Sequence, residues 1–329
     1  MITTDIRRRT PDLRGLADIR LVTLEDGPGR GQRLLVARNA AGLCFEVAVD
    51  RGFDLSQLSF RGTSIGFHSP NQSRFPAIEP SAEDGWAFLR NFDGFLVTCG
   101  LDHFGAPATA DISSLNHPHL KSVRRPLHGR IASEQARLAG YGVDDENAFV
   151  WCEGIVRQAG VFGETLELRR RFTAPIFGST VEIADTITNL GFRPTDHAIL
   201  YHINFGYPFL DEATKVEGLP ADFAGRFHEI DRRPADDFGE MVDILKSDAL
   251  PSTTGLTIVN EMLGLKATLR YSSAELPSLF IWRAYQSGLF ALGIEPAFDG
   301  ADAQGRAQIL APGESRKYGL QVSLSETRA

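Results

Sequence analysis

The sequence predicts an all-β protein: one antiparallel domain over residues 1–329, built as a sandwich of long sheets. Three observations predict it. Apolar and polar residues alternate with period two along many segments. Turn signals separate those segments at Asp26-Gly27-Pro28-Gly29, Asn189-Leu190-Gly191, Ser287-Gly288 and Pro312-Gly313. Helical signals are few, and the strand–helix alternation of a parallel α/β sheet is missing.

Each element follows from that pattern. Strands are expected at 19–25, 32–38, 43–50 and 54–60. In 43–50 the apolar residues Leu43, Phe45, Val47 and Val49 fall on odd positions, as a half-buried strand requires. Residues 68–92 read as a loop-rich insertion. It ends in a short helix, because Ser81-Ala-Glu-Asp84 resembles a capping box ahead of Trp86–Phe92. A second loop-rich insertion covers 103–130. Strands then follow at 149–158, 165–172, 181–187 and 195–205. In the second of these, Leu166, Leu168 and Phe172 share one face, while Thr165, Glu167, Arg169 and Arg171 share the other. Residues 235–246 are expected to form another helix. Strands at 255–260, 266–271, 279–285, 289–295 and 316–324 complete the chain.

The chain has 329 residues, of which 43% are apolar and 23% charged, as in ordinary globular proteins. At about 150 residues per domain two domains would be usual, but β folds often stay single at this size. No apolar run approaches the roughly 20 residues of a membrane helix. The opening MITTDIRRRTPDLRGL has no apolar stretch, so a secretory leader is not expected. The net charge is −8, and the short basic clusters Arg7–Arg9, Arg124–Arg125 and Arg169–Arg171 carry no interleaved aromatics. Neither nucleic acid nor an anionic membrane is therefore an expected partner. Three cysteines without CxxC spacing fit reduced thiols in a cytoplasm. A P-loop and the GxGxxG, HExxH and GxSxG motifs are all missing, which removes the common routes to nucleotide, zinc-protease and serine-hydrolase chemistry.

What remains is a set of polar residues inside apolar strands. In Leu200-Tyr-His-Ile-Asn-Phe-Gly-Tyr-Pro208, His202 and Asn204 share a face with Leu200 near a strand end. His202 is either a core histidine or a ligand-facing one. Glu295 ends the apolar run from Leu289, and its same-face neighbours Ala291 and Gly293 are small enough to leave room above the sheet. A carboxylate there has a raised pKa and can act as a base, unless an arginine such as Arg283 satisfies it. His128 in Pro126-Leu-His-Gly-Arg130 is either a turn residue or a binding residue. Arg51 in Val49-Asp-Arg-Gly-Phe-Asp54 is part of a charged turn or holds a sugar hydroxyl. Asp102 and His103 follow Cys99 and could line a pocket, while Cys99 itself reads as buried and inert. His103, His117, His119 and His128 offer a loose metal reading.

The order His-Gly, then Tyr-His-x-Asn-Phe, then Gly-Ile-Glu resembles the aldose 1-epimerase (galactose mutarotase-like) superfamily, most closely its DUF4432 branch. The matching residues are Arg51-Gly-Phe-Asp54, Phe60-Arg-Gly62, Thr98-Cys-Gly-Leu101, His128-Gly129, Leu200–Pro208, Trp282, Gly293-Ile-Glu-Pro296 and Pro312-Gly-Glu314. The likeness to that branch spans nearly the whole chain; to true mutarotases it covers a few short motifs.

The resemblance implies a galactose mutarotase-like β-supersandwich and an isomerase that interconverts the anomers of a free monosaccharide. It implies Glu295 as general base and His202 as general acid on opposite sides of the sugar, with His128 and Arg51 holding the substrate. Asn204, Asp102 and His103 would line the site. Trp282, Tyr207, Phe104 and Trp86 are candidate stacking platforms. Such chemistry requires no metal or other cofactor. The Thr98–His103 and Arg51–Asp54 stretches depart from the mutarotase pattern and point to a different substrate or carbon. Two rival functions remain: a carbohydrate-binding protein without turnover, and an epimerase that abstracts a carbon-bound proton from a keto- or acidic sugar. The sequence leaves the oligomeric state open, with a homodimer as one option.

Overall fold

A computed structural model describes residues 4–228, 233–300 and 309–327. After a short helix, α1 (Thr4–Arg9), the first sheet is a meander. Its strands are β1 (Asp18–Thr23), β2 (Arg33–Arg38), β3 (Leu43–Ala48), β4 (Asp54–Phe60) and β5 (Thr63–Ser64). Two four-residue turns, α2 (Ala82–Gly85) and α3 (Phe88–Asn91), precede β6 (Leu96–Leu101). A hairpin of β7 (Ala108–Asp111) and β8 (Ser122–Arg125) lies in the second insertion. There follow β9 (Ala136–Asp144), β10 (Phe149–Ala159), β11 (Thr165–Pro175) and β12 (Thr180–Asn189). Next come β13 (Thr195–Asp196), β14 (Ala198–Gly206), β15 (Lys215–Glu217), α4 (Ala221–His228), β16 (Met241–Lys246), β17 (Thr253–Asn260) and β18 (Leu265–Ser272). The chain closes with β19 (Ser278–Gln286), β20 (Leu289–Phe298), β21 (Ile309–Leu310) and β22 (Ser315–Glu326).

The largest sheet has eight strands in the order β15-β17-β18-β22-β12-β11-β10-β9. Another has five, in the order β16-β19-β20-β14-β6. All named pairings in both are antiparallel. The fold is thus an all-β assembly of large antiparallel sheets, as the alternation predicts.

Period two also decides what each face of the five-stranded sheet meets. Ile199, Tyr201, Ile203 and Phe205 of β14 join Ile281 of β19 and Ile294 of β20 in the main core, with Leu168, Phe172 and Leu320 of the eight-stranded sheet. Leu200 of β14, Cys99 of β6, Trp282 of β19 and Ala291 of β20 turn the other way. They join Phe88 and Phe92 in a second apolar cluster. β14 is therefore buried along its whole length, and its even-numbered residues face the second cluster.

A charged group lies inside the main core. Arg170 sits on the apolar face of β11 with no exposed surface. Its guanidinium donates to both Asp185 oxygens (2.9 and 2.6 Å), to Asp54 and to Thr98 Oγ1 at 2.8 Å. The Tyr201 hydroxyl also donates to Asp185, at 2.7 Å. A buried cation persists only when paired in this way. The network ties β11 and β12 to β4, β6 and β14 beneath the second cluster.

Two helical expectations need correction. Residues 241–246 form strand β16, not part of a helix over 235–246. Val242 and Ile244 are β-branched, and β16 pairs with the otherwise open edge of β19. Over 81–92 the chain does turn helically, but in two separate pieces, and the Ser81 side chain makes no capping bond. Strand β9 was not anticipated from the sequence; it pairs with β10 through a bulge at Glu153/Gly154.

Candidate active site

The site begins with a break in a ladder. β14 and β20 pair at Ile199–Phe298 and Leu200–Ala297, and resume at Ile203–Ile294. The skipped positions are Tyr201 and His202 against Glu295 and Pro296. Pro296 has no N–H to donate, so regular pairing fails there. His202 and Glu295 remain cross-strand neighbours on one face, with His202 Nε2 3.2 Å from Glu295 Oε1. Both side chains are nearly inaccessible.

Asn204, two residues along the same face, fixes the imidazole. Its Nδ2 donates to the Gly94 carbonyl (3.1 Å) and the His202 carbonyl (3.0 Å). Its Oδ1 is thereby turned to His202 Nδ1 at 2.6 Å, which must carry the hydrogen. Nε2 is then the lone-pair nitrogen of the neutral ring, and it faces Glu295. Burial pushes the Glu295 carboxyl well above its ordinary range, with the charge of Glu240 adding to the effect. Burial likewise holds His202 well below the ordinary imidazole value; His128 adds to this and the Asn204 bond opposes it. Both shifts favour one state: a protonated Glu295 beside a neutral His202.

Gly293 gives the carboxylate its place. A Cβ built on Gly293 would overlap Glu295 Oε1 and lie 3.1 Å from Trp282 Cβ.

Above the pair lies a cavity of about 420 Å³, within the range of small-molecule sites. Phe92 and Trp282 flank the His202 ring, at centroid distances of 4.8 and 5.2 Å. Phe88 packs on Phe92 (5.4 Å) and on His128 (4.8 Å). Phe104 and Phe280 meet edge to face at 5.6 Å and form another wall. Trp86, 44% exposed, and Leu89, 57% exposed, also line it. The Trp282 indole N–H donates to Glu240 Oε2 at 2.8 Å, so this second carboxylate is held at the cavity too.

The structure brings together Glu295, His202, His128 and Trp282 around this cavity, with Asn204 supporting from behind. His128 holds a left-handed backbone (φ 58°) and its ring centre is 5.7 Å from that of His202. Its Nδ1 faces the Gly105 N–H at 3.4 Å, and burial, with the charge of His103 adding, pushes it down to about 4.

Four residues expected in the site lie apart from it. Arg51 is buried against the Asn91 carbonyl, near Asp54 and Asp93, and is not among the cavity's lining residues. Asp102 is spent on Arg125 Nε (2.9 Å) and Gln158 Nε2 (2.7 Å). His103 bonds the Ala106 carbonyl at 3.0 Å, next to the lining segment but outside it. Tyr207 is 76% exposed and is not among the cavity's lining residues. Nor do Glu295 and His202 stand on opposite sides of a gap: they adjoin on one floor, because they are cross-strand neighbours. Arg283 pairs with Asp243, not with Glu295. Among the described residues, no three His, Cys, Asp or Glu side chains converge as metal ligands would. Cys99 is buried, and burial pushes its thiol well up.

Phe88, Phe92, Phe280 and Glu240 were not singled out from the sequence. Phe280 shares the even-numbered face of β19 with Trp282, which is a readable signal. Phe88 and Phe92 reach the site from α3 and its end, and Glu240 from the segment just before β16; strand alternation says nothing about those.

The model of the family described as Domain of unknown function (DUF4432) matches residues 29–324. No protein of curated function matches the sequence. Among solved structures, a "putative aldose 1-epimerase" from Klebsiella pneumoniae subsp. pneumoniae MGH 78578 superposes with a TM-score of 0.81 at 23% identity, covering 94% of this chain and 84% of that one. A galactose mutarotase-like protein from Clostridium acetobutylicum gives 0.66 at 13% identity, covering 95% and 99%. A galactose 1-epimerase from Lactobacillus acidophilus NCFM gives 0.56 at 12% identity, covering 94% and 99%. At these identities the likeness establishes the galactose mutarotase-like fold. The match over nearly its whole length makes this chain a member of the DUF4432 family.

Proposed function

We propose that the protein is an isomerase that interconverts the anomers of a free monosaccharide by acid–base ring opening. The observation that carries this reading is the His202–Glu295 pair, 3.2 Å apart on the floor of an aromatic cavity. Ring opening removes a proton from the anomeric hydroxyl and delivers one to the ring oxygen, and both atoms are bonded to the same carbon. Two adjoining groups therefore suit the reaction.

The pair has two forms that differ only by moving its proton between Glu295 and His202. In the ion-pair form, Glu295 accepts the hydroxyl proton and His202 Nε2 donates to the ring oxygen. The carbon–ring-oxygen bond breaks and a carbonyl forms. The pair finishes as protonated Glu295 and neutral His202, the form that burial favours. Rotation about the adjacent carbon–carbon bond and reclosure reverse both transfers and give the other anomer. Asn204 holds Nε2 in position throughout, and the aromatic walls offer faces for the sugar ring.

Replacing Glu295 by Gln tests this. Gln cannot exchange a proton, so enzyme-dependent anomeric exchange, followed by NMR, should disappear while the melting temperature and sugar binding hold. Equal turnover by Glu295→Gln would end the assignment. Binding without turnover in the wild-type protein would favour a binding protein instead.

A further inference from the structure

We infer that the cavity is shaped for a neutral 6-deoxy sugar, one with a methyl group on the ring carbon next to the ring oxygen. This rests on the anomer-exchange reading above and narrows its substrate class.

The first observation is charge. The ionisable side chains lining the cavity are His128, His202, Glu240 and Glu295; no lysine or arginine lines it among the described residues. Buried Arg51 lines a separate small space, and buried Arg170 and Arg283 are paired with Asp185 and Asp243. A sugar carboxylate or phosphate would thus enter a low-dielectric space beside Glu240 with no cation to meet it.

The second is position. Once the ring oxygen is set at His202 Nε2, the substituent on the neighbouring ring carbon is only two bonds from the protonated atom. It must lie against whatever surrounds the imidazole. Besides Glu295 at Nε2 and Asn204 at Nδ1, that surround is Phe92 at 4.8 Å, Trp282 at 5.2 Å and His128 at 5.7 Å. Phe92 is backed by Phe88 and Phe67 (5.4 and 6.1 Å) and offers no polar atom. The Trp282 N–H is already engaged by Glu240. A methyl group gains apolar burial in this bay. A hydroxymethyl loses water there and finds few partners.

The third is the balance of polar groups. The pair is committed to the anomeric hydroxyl and ring oxygen, which leaves His128 and Glu240 as the remaining ionisable partners for hydroxyls. A 6-deoxyhexose presents one hydroxyl fewer than its parent hexose, and so leaves fewer groups unpaired.

An apolar pocket rejects an isostere that adds a hydroxyl by roughly 10²-fold at most. The expected preference for the deoxy member of a matched pair is therefore between about tenfold and a hundredfold in kcat/KM. The test uses L-fucose against L-galactose and L-rhamnose against L-mannose, with D-galacturonate and D-galactose 6-phosphate as anionic probes. Anomeric exchange is measured with the wild-type protein. Saturation transfer from protein to sugar is measured with Glu295→Gln.

The inference predicts faster exchange for the deoxy member of a pair, saturation transfer strongest at its methyl group, and no competition by either anion. Equal rates within both pairs, or turnover of an anionic sugar at or above the deoxy rate, would overturn it while leaving anomer exchange standing. Exchange absent throughout, with methyl-directed binding intact, would instead overturn the catalytic reading and keep the ligand class. Absence of both would overturn the two together.

Discussion

Adding one methyl group at Gly293 should disable the site without unfolding the protein. A Cβ on Gly293 overlaps Glu295 Oε1, the atom that faces His202 Nε2 at 3.2 Å. To regain van der Waals distance the carboxylate must withdraw by about 1 Å, a misplacement that can cost on the order of 10²-fold in rate. Stability should respond far less. The obstructing atom is the end of a flexible side chain, and the other close neighbour, Trp282 Cβ at 3.1 Å, needs to yield only slightly. Gly293 has no left-handed backbone strain that alanine would inherit. The net effect of Gly293→Ala on folding should be within about 1 kcal/mol. The assay is anomeric exchange by NMR, corrected for the spontaneous rate and paired with thermal melting. A kcat unchanged in Gly293→Ala would refute the reasoning, because a carboxylate that can be displaced without consequence is not the reacting group.

Two further predictions follow from the same geometry. Asn204→Leu keeps the volume but removes the 2.6 Å bond that orients His202, so kcat should fall about tenfold or more. The buried Gly94 and His202 carbonyls also lose their Nδ2 partner, and the melting temperature should drop. An unchanged kcat would show that the tautomer does not matter. In pH dependence, the pair is competent while it holds one proton. The acid limb marks addition of a second proton to His202, whose pKa is lowered from 6.5 by burial. The rate should therefore persist down through pH 6.5 and fall only below it; a rate already halved at pH 6.5 would contradict the buried neutral imidazole.

Much of this architecture was readable in the residues, and the exceptions have physical causes. Alternation reports which face of a strand a residue occupies, so it placed His202 and Asn204 on one face of β14 and Glu295 on the small-residue face of β20. The same rule located the site face through Ala291 and Gly293. The resemblance to mutarotase-like proteins pointed to His202 and Glu295, the two residues we propose to react. Register, however, is not written in one strand, and only the β14–β20 pairing sets His202 opposite Glu295. Arg51 and Asp102 looked like pocket residues because charge in an apolar run is conspicuous. Their buried partners, the Asn91 carbonyl and the Arg125–Gln158 pair, are distant in sequence. Arg170 occupies an apolar register position, and only the fold reveals Asp54 and Asp185 beside it. The helix expected over 235–246 failed because an edge strand's demand for backbone partners outweighs a weak local pattern.

The central claim is that Glu295 and His202 exchange protons with the oxygens of a sugar and not with its carbons. The most direct measurement is proton NMR of wild-type protein in deuterated water with the sugar panel above. Anomeric exchange and deuterium uptake at carbon are followed in the same samples. The account predicts accelerated exchange between α and β signals with no deuterium at any ring carbon. Deuterium appearing at a carbon, with a new epimer, would contradict it and move the chemistry to carbon-bound proton abstraction.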